Sequence, residues 1–518
     1  MGLWSAYFFA KLLLYAGGFI GFNVWLNLAF AIFTALPPQN PRQRFAKNVI
    51  AVPLATMLLY HDSWLPPIAR VLSQAQNLSS FTLPYVLELL GRFINWKVIA
   101  ALIVMGFIYA LARRKLRLST FVFIAIIGVM VAPEGGSVLQ PSVASSSMTA
   151  ANAARPRIDA RNMRADALNT LLNRFTVQEQ QRQVRFQTPA ADDEPFDIVM
   201  LHVCSLSWDD LQAVHAENNP LFKRFDIQFS QFNSAASYSG PAALRLLRGN
   251  CGATDHKQLY ERPNRECLVI DGLQDAGFEP HWLMNHDGHF GNFFADVHDR
   301  AGFPATPDDI AGATIAQHAF DGTPIYGDYS TLSRWWAKRT ANPAARVVLY
   351  YNTISLHDGN RANGKADSSY EARLSQFTSD VSRFLDDLQR SGRRVVVVFV
   401  PEHGAALRGD RKQIPGLREI PTPAITHVPV GVVLVNASRD SQNPLQRVEV
   451  PTSYLAVNEL LSRFLTDNPF AKSNLTLSAY TQGLPQTDFV AENDGTVMMQ
   501  IDQQYMLRTP DGAWSPWN

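Results

Sequence analysis

Residues 394–404 read RVVVVFVPEHG, an unbroken apolar run of β-branched character that stops at Pro401, Glu402, His403 and Gly404. A strand that is apolar at every position is buried on both faces, as in parallel sheets covered by helices. Phe196–Val203, Ala345–Asn352 and Val428–Val435 share the pattern. Helical segments lie between such runs. The clearest is Ser368–Ser391, where Leu374, Phe377, Val381, Phe384, Leu385 and Leu388 fall on one stripe. This alternation predicts an α/β domain over residues 195–518, with a central, mostly parallel sheet flanked by helices.

Ligands bind open sheets outside the carboxyl ends of their strands, so strand exits are where chemistry is expected. Phe196–Val203 delivers Cys204 in the string HVCSLSWDD, and the run after Arg394 delivers Glu402 and His403. A third place is Tyr238-Ser239-Gly240-Pro241, directly before AALRLLRG. Pro241 suits a first helical turn, which puts Ser239 at a helix N-terminus among free N–H groups that favour an anion. A thiolate, a carboxylate, an imidazole and a hydroxyl form a ligand set that zinc accepts. A hydroxyl held by such a metal becomes a nucleophile at neutral pH. Pattern alone leaves other readings open. A cysteine at a strand end also serves as a small apolar packing residue, and Glu402-His403 also reads as a solvated loop.

The chain has 518 residues, too many for one ordinary core, and its first 136 differ from the rest in being dominated by Leu, Phe, Ile, Val and Ala. Trp4–Leu36 has Lys11, Asn23 and Asn27 as its strongly polar side chains and would be about 50 Å long as one helix, against a bilayer core of about 30 Å. Two short spans turning near Gly21–Asn23 fit this, and one strongly tilted span is the alternative. Further spans are expected at Asn48–Trp64, Trp96–Ala112 and Leu118–Ala132, making about five, or four with the tilted span. No signal peptide is read, because the apolar region runs on and lacks a basic start. Arg42, Arg44 and Lys47 form one basic loop, and Arg113, Arg114, Lys115 and Arg117 another; with both cytoplasmic, everything after Ala132 lies outside. Residues 137–194 read as a flexible linker in which Ala165–Phe175 has helical spacing. With 46 basic and 45 acidic side chains, no global field recruits nucleic acid.

Several motifs resemble the cellulose phosphoethanolamine transferases, a membrane-bound family within the alkaline phosphatase superfamily. They are CSLSWDD (204–210), FNSAASYSGPAALRLLR (232–248), YYNTISLHDGN (350–360), PEHGAAL (401–407) and GLREIPTPAITHVPVGV (416–432). Shorter likenesses extend over nearly the whole chain: HDSWLP (61–66), FINW (93–96) and QGLPQT (482–487). The resemblance implies a helical transmembrane anchor at 1–136 joined to an alkaline-phosphatase-like α/β domain in the periplasm. It also implies a Zn²⁺ site of Cys204, Ser239, Glu402 and His403, with Ser239 as nucleophile. Related lipid A transferases have Glu in place of Cys204, Thr for Ser239 and Asp-His for Glu402-His403, so the ligands here are softer.

The implied reaction moves phosphoethanolamine from phosphatidylethanolamine to glucose 6-hydroxyls of nascent cellulose through a covalent phospho-serine. The implied setting is the bacterial inner membrane, beside subunits of the cellulose synthase complex. His357 matches a family histidine suited to proton exchange, while Tyr238, Arg418 and His427 fit substrate binding. His286, Asp287 and His289 form a further polar cluster, to which no second metal is assigned. In an oxidising periplasm Cys251 and Cys267 can pair, a bridge contributing about 3 kcal/mol, which leaves Cys204 as the odd thiol. Two rival functions are a phosphoglycerol transferase or phosphodiesterase on the same core, and a non-catalytic scaffold of the secretion machinery.

Overall fold

The computed structural model describes residues 2, 4–17, 19–63, 82–93, 96–112, 118–131, 160, 163–190, 193–303, 306–363, 368–410, 412–438 and 445–517. The chain divides into two compact units: residues 1–155 with 409–415, and 156–408 with 416–518.

In the first unit, Trp4–Leu36 carries two helices, Trp4–Ala16 and Val24–Ala35. Pro41–Asp62, Leu83–Phe93, Trp96–Ala112 and Leu118–Val131 follow. Among the described residues no helix is long and apolar enough to cross a membrane. Arg42, Arg44 and Lys47 lie inside the helix Pro41–Asp62, not in a loop. The reason is local: Pro41 occupies the first turn and the Asn40 side chain accepts from Gln43 N, so the helix starts before the basic residues. The second basic loop, 113–117, lies outside the described residues, as does 137–159 of the expected linker. Phe8, Phe30, Ala31, Leu58, Val122 and Ile126 contribute to this unit's buried centre. Its outside is equally apolar: every exposed large hydrophobic side chain among the described residues, except Val177, Phe290 and Ile315, belongs here.

The second unit is an α/β domain. Its strands are β1 (Asp197–Val203), β2 (Ile227–Phe232), β3 (Glu279–Met284), β4 (Ile315–His318), β5 (Pro324–Tyr326), β6 (Val347–Thr353), β7 (Arg361–Ala362), β8 (Val395–Pro401), β9 (Val430–Val435) and β10 (Gln446–Thr452). A seven-stranded sheet runs β10-β2-β9-β8-β1-β6-β3, and only β9 opposes its neighbours. All seven residues of β1 and of β8 are buried, which is why β8 reads as a continuous apolar run and β1 as one interrupted only by Asp197 and His202. Side chains alternate between faces. Ile198, Met200, Val396 and Val398 pack on the side of helices Ser239–Leu247, Val269–Asp275 and Tyr454–Thr466. Val199, Leu201, Val397 and Phe399 face helices Asp328–Ala341 and Tyr370–Arg390, the latter burying the whole predicted stripe.

Two smaller sheets complete the unit. One runs β5-β4-β7, and the other is an antiparallel meander of β11 (Val490–Asn493), β12 (Thr496–Ile501), β13 (Gln504–Arg508) and β14 (Trp514–Trp517). Helix Ala165–Gln180 lays Leu168 and Leu172 on this meander against Val497, Met499 and Met506. The predicted short helix within the linker region is thus part of the second unit's packing.

Candidate active site

Register brings the reactive residues together. Val203 of β1 pairs with Pro401 of the adjacent β8, so Cys204 and Glu402 emerge side by side. Glu402 N donates to Val203 O, Cys204 N to Thr353 O and Leu206 N to His403 O. The two exit loops are then pinned by one carboxylate. Ser207 and Asp210 form a capping box that starts helix Trp208–Ala213, and Asp210 also accepts from Ala405 N (2.7 Å) and Leu407 N (3.2 Å). Gly404 allows that approach, since a Cβ there would come within 2.6 Å of Ser207 Oγ. Burial pushes the Asp210 carboxyl up to about 6, against the hydrogen bonds it accepts.

Ser239 begins helix Ser239–Leu247, as the Pro241 signal predicted. Its Oγ lies 3.5 Å from Cys204 Sγ and 3.5 Å from His403 Nε2. Donor atoms of Cys204, Glu402 and His403 all lie within 4.8 Å of one another, and all three residues are buried. His403 Nδ1 sits 2.9 Å from Gly404 O; a carbonyl only accepts, so Nδ1 carries the proton and Nε2 keeps its lone pair. Glu402 Oε1 accepts from Asn352 Nδ2 at 2.6 Å, while Oε2 is buried without a hydrogen-bond partner. An imidazole lone pair, a bare carboxylate oxygen, a thiol and a hydroxyl converge on one buried place. This fits a soft divalent cation such as zinc. Burial, reinforced by the Glu402 charge, pushes the Cys204 thiol up to about 12. Burial also raises the Glu402 carboxyl, and with Arg418 it holds the His403 imidazole well below its usual value.

Sequence reasoning missed the support behind Glu402. Gly288 N donates to His286 Nδ1 (3.1 Å), so the proton of His286 is on Nε2 and is given to Asn352 Oδ1 (2.8 Å). That fixes the amide so that its NH₂ faces Glu402. The available signal was Asn352, a polar residue closing an apolar strand.

The remaining predicted residues fall in separate environments. Arg418 is buried, donates to Ser205 Oγ (3.3 Å), stacks over the Tyr238 ring (5.4 Å) and has Nε without a hydrogen-bond partner. The Tyr238 hydroxyl donates to Glu419 Oε1 (2.7 Å). His357 Nδ1 donates to Asp358 O (2.7 Å), which leaves Nε2 as acceptor; burial, then Arg418, lowers this imidazole to about 4. The His427 ring packs edge-on against Phe489 (5.1 Å) and is lowered to about 4 by burial. Cys251 and Cys267 form a disulfide, and Cys204 is the free, buried thiol. His286 belongs to the Asn352 relay, whereas Asp287 and His289 are bonded to each other.

The family described as "Cellulose biosynthesis protein BcsG C-terminal domain" matches residues 152–514, and the corresponding N-terminal domain matches 4–131. The chain is 36% identical to the cellulose biosynthesis protein BcsG of Escherichia coli strain K12 over 99% of its own length and 96% of the relative's. The chain belongs to the BcsG family. The BcsG protein of Salmonella typhimurium is similar to it at 35% identity, with the same coverage. Among solved structures, an alkaline phosphatase superfamily protein from Vibrio parahaemolyticus aligns at 12% identity and a TM-score of 0.45, covering 67% of this chain and 87% of the other. The zinc-bound C-terminal periplasmic domain of EcEptC from Escherichia coli aligns at 12% and 0.40, covering 60% and 93%.

Proposed function

We propose that this BcsG-family chain is a phosphoethanolamine transferase of the alkaline phosphatase superfamily. In this reading it takes its donor group from phosphatidylethanolamine and delivers it to glucose 6-hydroxyls of nascent cellulose. The observation that carries the reading is the convergence of Ser239 Oγ with Cys204 Sγ, Glu402 Oε2 and His403 Nε2. Zinc held there by Cys204, Glu402 and His403 would acidify the Ser239 hydroxyl and stabilise charge on phosphorus.

Ser239 Oγ attacks the donor phosphorus, the bond from phosphorus to the diacylglycerol oxygen breaks, and the serine proton ends on that oxygen. The acceptor 6-hydroxyl then attacks phosphorus, the bond to Oγ breaks, and Ser239 recovers a proton. His357, neutral above about pH 4 with a free Nε2, suits proton exchange with these oxygens. The guanidinium of Arg418 and the N-terminus of helix Ser239–Leu247 suit the phosphate oxygens, with Tyr238 beside them and His427 as a further substrate contact.

Residues 1–136 serve in this reading as an inner-membrane anchor and 195–518 as the periplasmic catalytic domain, adjoining cellulose synthase subunits; of the expected connection 137–194, helix Ala165–Gln180 packs with the catalytic domain. The apolar exterior of the first unit supports the anchor, since most exposed large hydrophobic side chains among the described residues belong to it. The Cys251–Cys267 disulfide supports an oxidising compartment.

Peptide mass spectrometry of the full chain incubated with phosphatidylethanolamine tests the reading. A phosphoethanolamine adduct on Ser239, absent from Ser239→Ala, is expected. A phosphoglycerol adduct would reassign the donor, and no serine adduct would overturn the covalent scheme.

A further inference from the structure

The second unit exposes few large apolar side chains, and one of them begins a row of rings that ends at His357. Phe290 is 46% exposed, and its ring leans edge-on against Phe320 at 4.7 Å. Phe320 is buried and packs in turn against the His357 imidazole at 5.4 Å. The far end of the row lies within electrostatic reach of the cluster, because Arg418 acts on His357 and His357 on His403.

The loop that carries Phe290 is built from both ends. Its base is the buried His286, bonded to Asn352 and through it to Glu402. Past the ring, Gly291 and Asn292 adopt successive left-handed conformations, φ 65° and 60°, which turn the chain back at once. A non-glycine residue in that region persists only where the surrounding structure enforces it. Asp287 and the strongly exposed His289 precede Phe290 in the same loop and are bonded to each other.

A β-glucan ribbon has apolar C–H faces edged by equatorial hydroxyls. An aromatic face with a carboxylate and an imidazole in the same loop matches both parts, whereas an acyl chain would need a continuous apolar groove. We propose that the exposed Phe290 ring, backed edge-on by the buried Phe320 and through it by His357, is a stacking surface for the glucan acceptor, with Asp287 and His289 of the same loop bonding its hydroxyls. The platform rests on the transferase reading above and names where that reaction's acceptor lies.

Phe290→Ala in the full-length chain in detergent tests it, with phosphatidylethanolamine as donor and cellopentaose as acceptor. The KM for cellopentaose is expected to rise about tenfold, while Ser239 labelling, which needs no acceptor, keeps its rate. Phe290→Trp should restore the acceptor KM, which recovery of mere loop stability would not do. A wild-type acceptor KM in Phe290→Ala overturns the platform. Slowed Ser239 labelling at unchanged acceptor KM also overturns it, assigning the ring to the lipid. Absence of Ser239 labelling in the wild-type chain counts against the transferase reading instead.

Discussion

Two buried polar clusters, one in each unit, are finished differently. In the first unit, Lys11 Nζ donates to Asn27 Oδ1 (2.8 Å) and Leu58 O (3.1 Å) and pairs with Asp62 Oδ2 (2.8 Å). Asp62 also accepts from Asn27 Nδ2 (2.6 Å) and Asn23 N (3.3 Å). Charge and hydrogen bonding are closed among the residues themselves. In the second unit, Glu402 Oε2 is buried without a hydrogen-bond partner, and His403 Nε2 has a long 3.5 Å contact with the Ser239 hydroxyl, beside the Cys204 thiol. A closed cluster holds a fold in register, whereas an open one at the same depth is costly unless something arrives to complete it. Saturation, more than burial or charge, separates the structural cluster from the chemical one.

The largest expected effect comes from removing the hydroxyl at the open cluster. Ser239→Ala should lower transfer about 10⁴-fold or more, read as product formation on cello-oligosaccharide, with an unchanged melting temperature. Retention of a tenth of wild-type transfer would erase the chemical half of the contrast.

At the closed cluster the loss should appear in stability. Lys11→Met strands the Asp62 carboxylate and should cost about 3–5 kcal/mol, measured by thermal unfolding of the full chain in detergent. The double variant Lys11→Met/Asp62→Leu should recover most of it. A single variant as stable as wild type would mean that the pair locks nothing.

Asn352→Ala sharpens the comparison from behind Glu402. Without its amide the carboxylate loses orientation, and zinc affinity should fall about 10–100-fold in chelator competition. The metal-free protein should also lose about 1–3 kcal/mol, because Glu402 and His286 are left buried without that partner. Equal affinity would show that Asn352 positions nothing.

The smallest effect is one of pH. Folded His427 stays neutral down to about pH 4, while in the unfolded chain it protonates near ~6.5. Its folded value is depressed, so the stability it contributes is present above about pH 6.5 and is lost as pH falls toward 4. The stability gap between wild type and His427→Asn should therefore narrow over that window, followed by chemical denaturation at successive pH values. A gap that widens on acidification would reverse the sign of the burial argument.

Much of this was legible in the linear string, for identifiable reasons. β8 announced itself because burial on both faces leaves no polar position to interrupt the run, and β1 because only Asp197 and His202 interrupt its apolar residues. Strand exits marked Cys204, Glu402 and His403 as candidates with packing and loop readings still open, and Pro241 marked Ser239 as a helix start; their union in one metal site came from the family resemblance. The His286–Asn352–Glu402 relay was not legible, since it joins residues 50 to 66 positions apart through side-chain geometry alone. The misplaced start of helix Pro41–Asp62 and the unread meander had local signals that went unused. Asn40-Pro41 caps the helix, and Asp494-Gly495, both at positive φ, is the tight turn joining β11 to β12. Short strands with mixed burial offer weaker periodicity than buried runs, so turns must carry the reading there.

Zinc-edge X-ray absorption on the zinc-loaded full chain tests the central claim most directly. The account predicts one sulfur scatterer at about 2.3 Å with nitrogen and oxygen neighbours at about 2.0–2.2 Å, and loss of the sulfur shell in Cys204→Ala. A first shell without sulfur in the wild-type protein would contradict it.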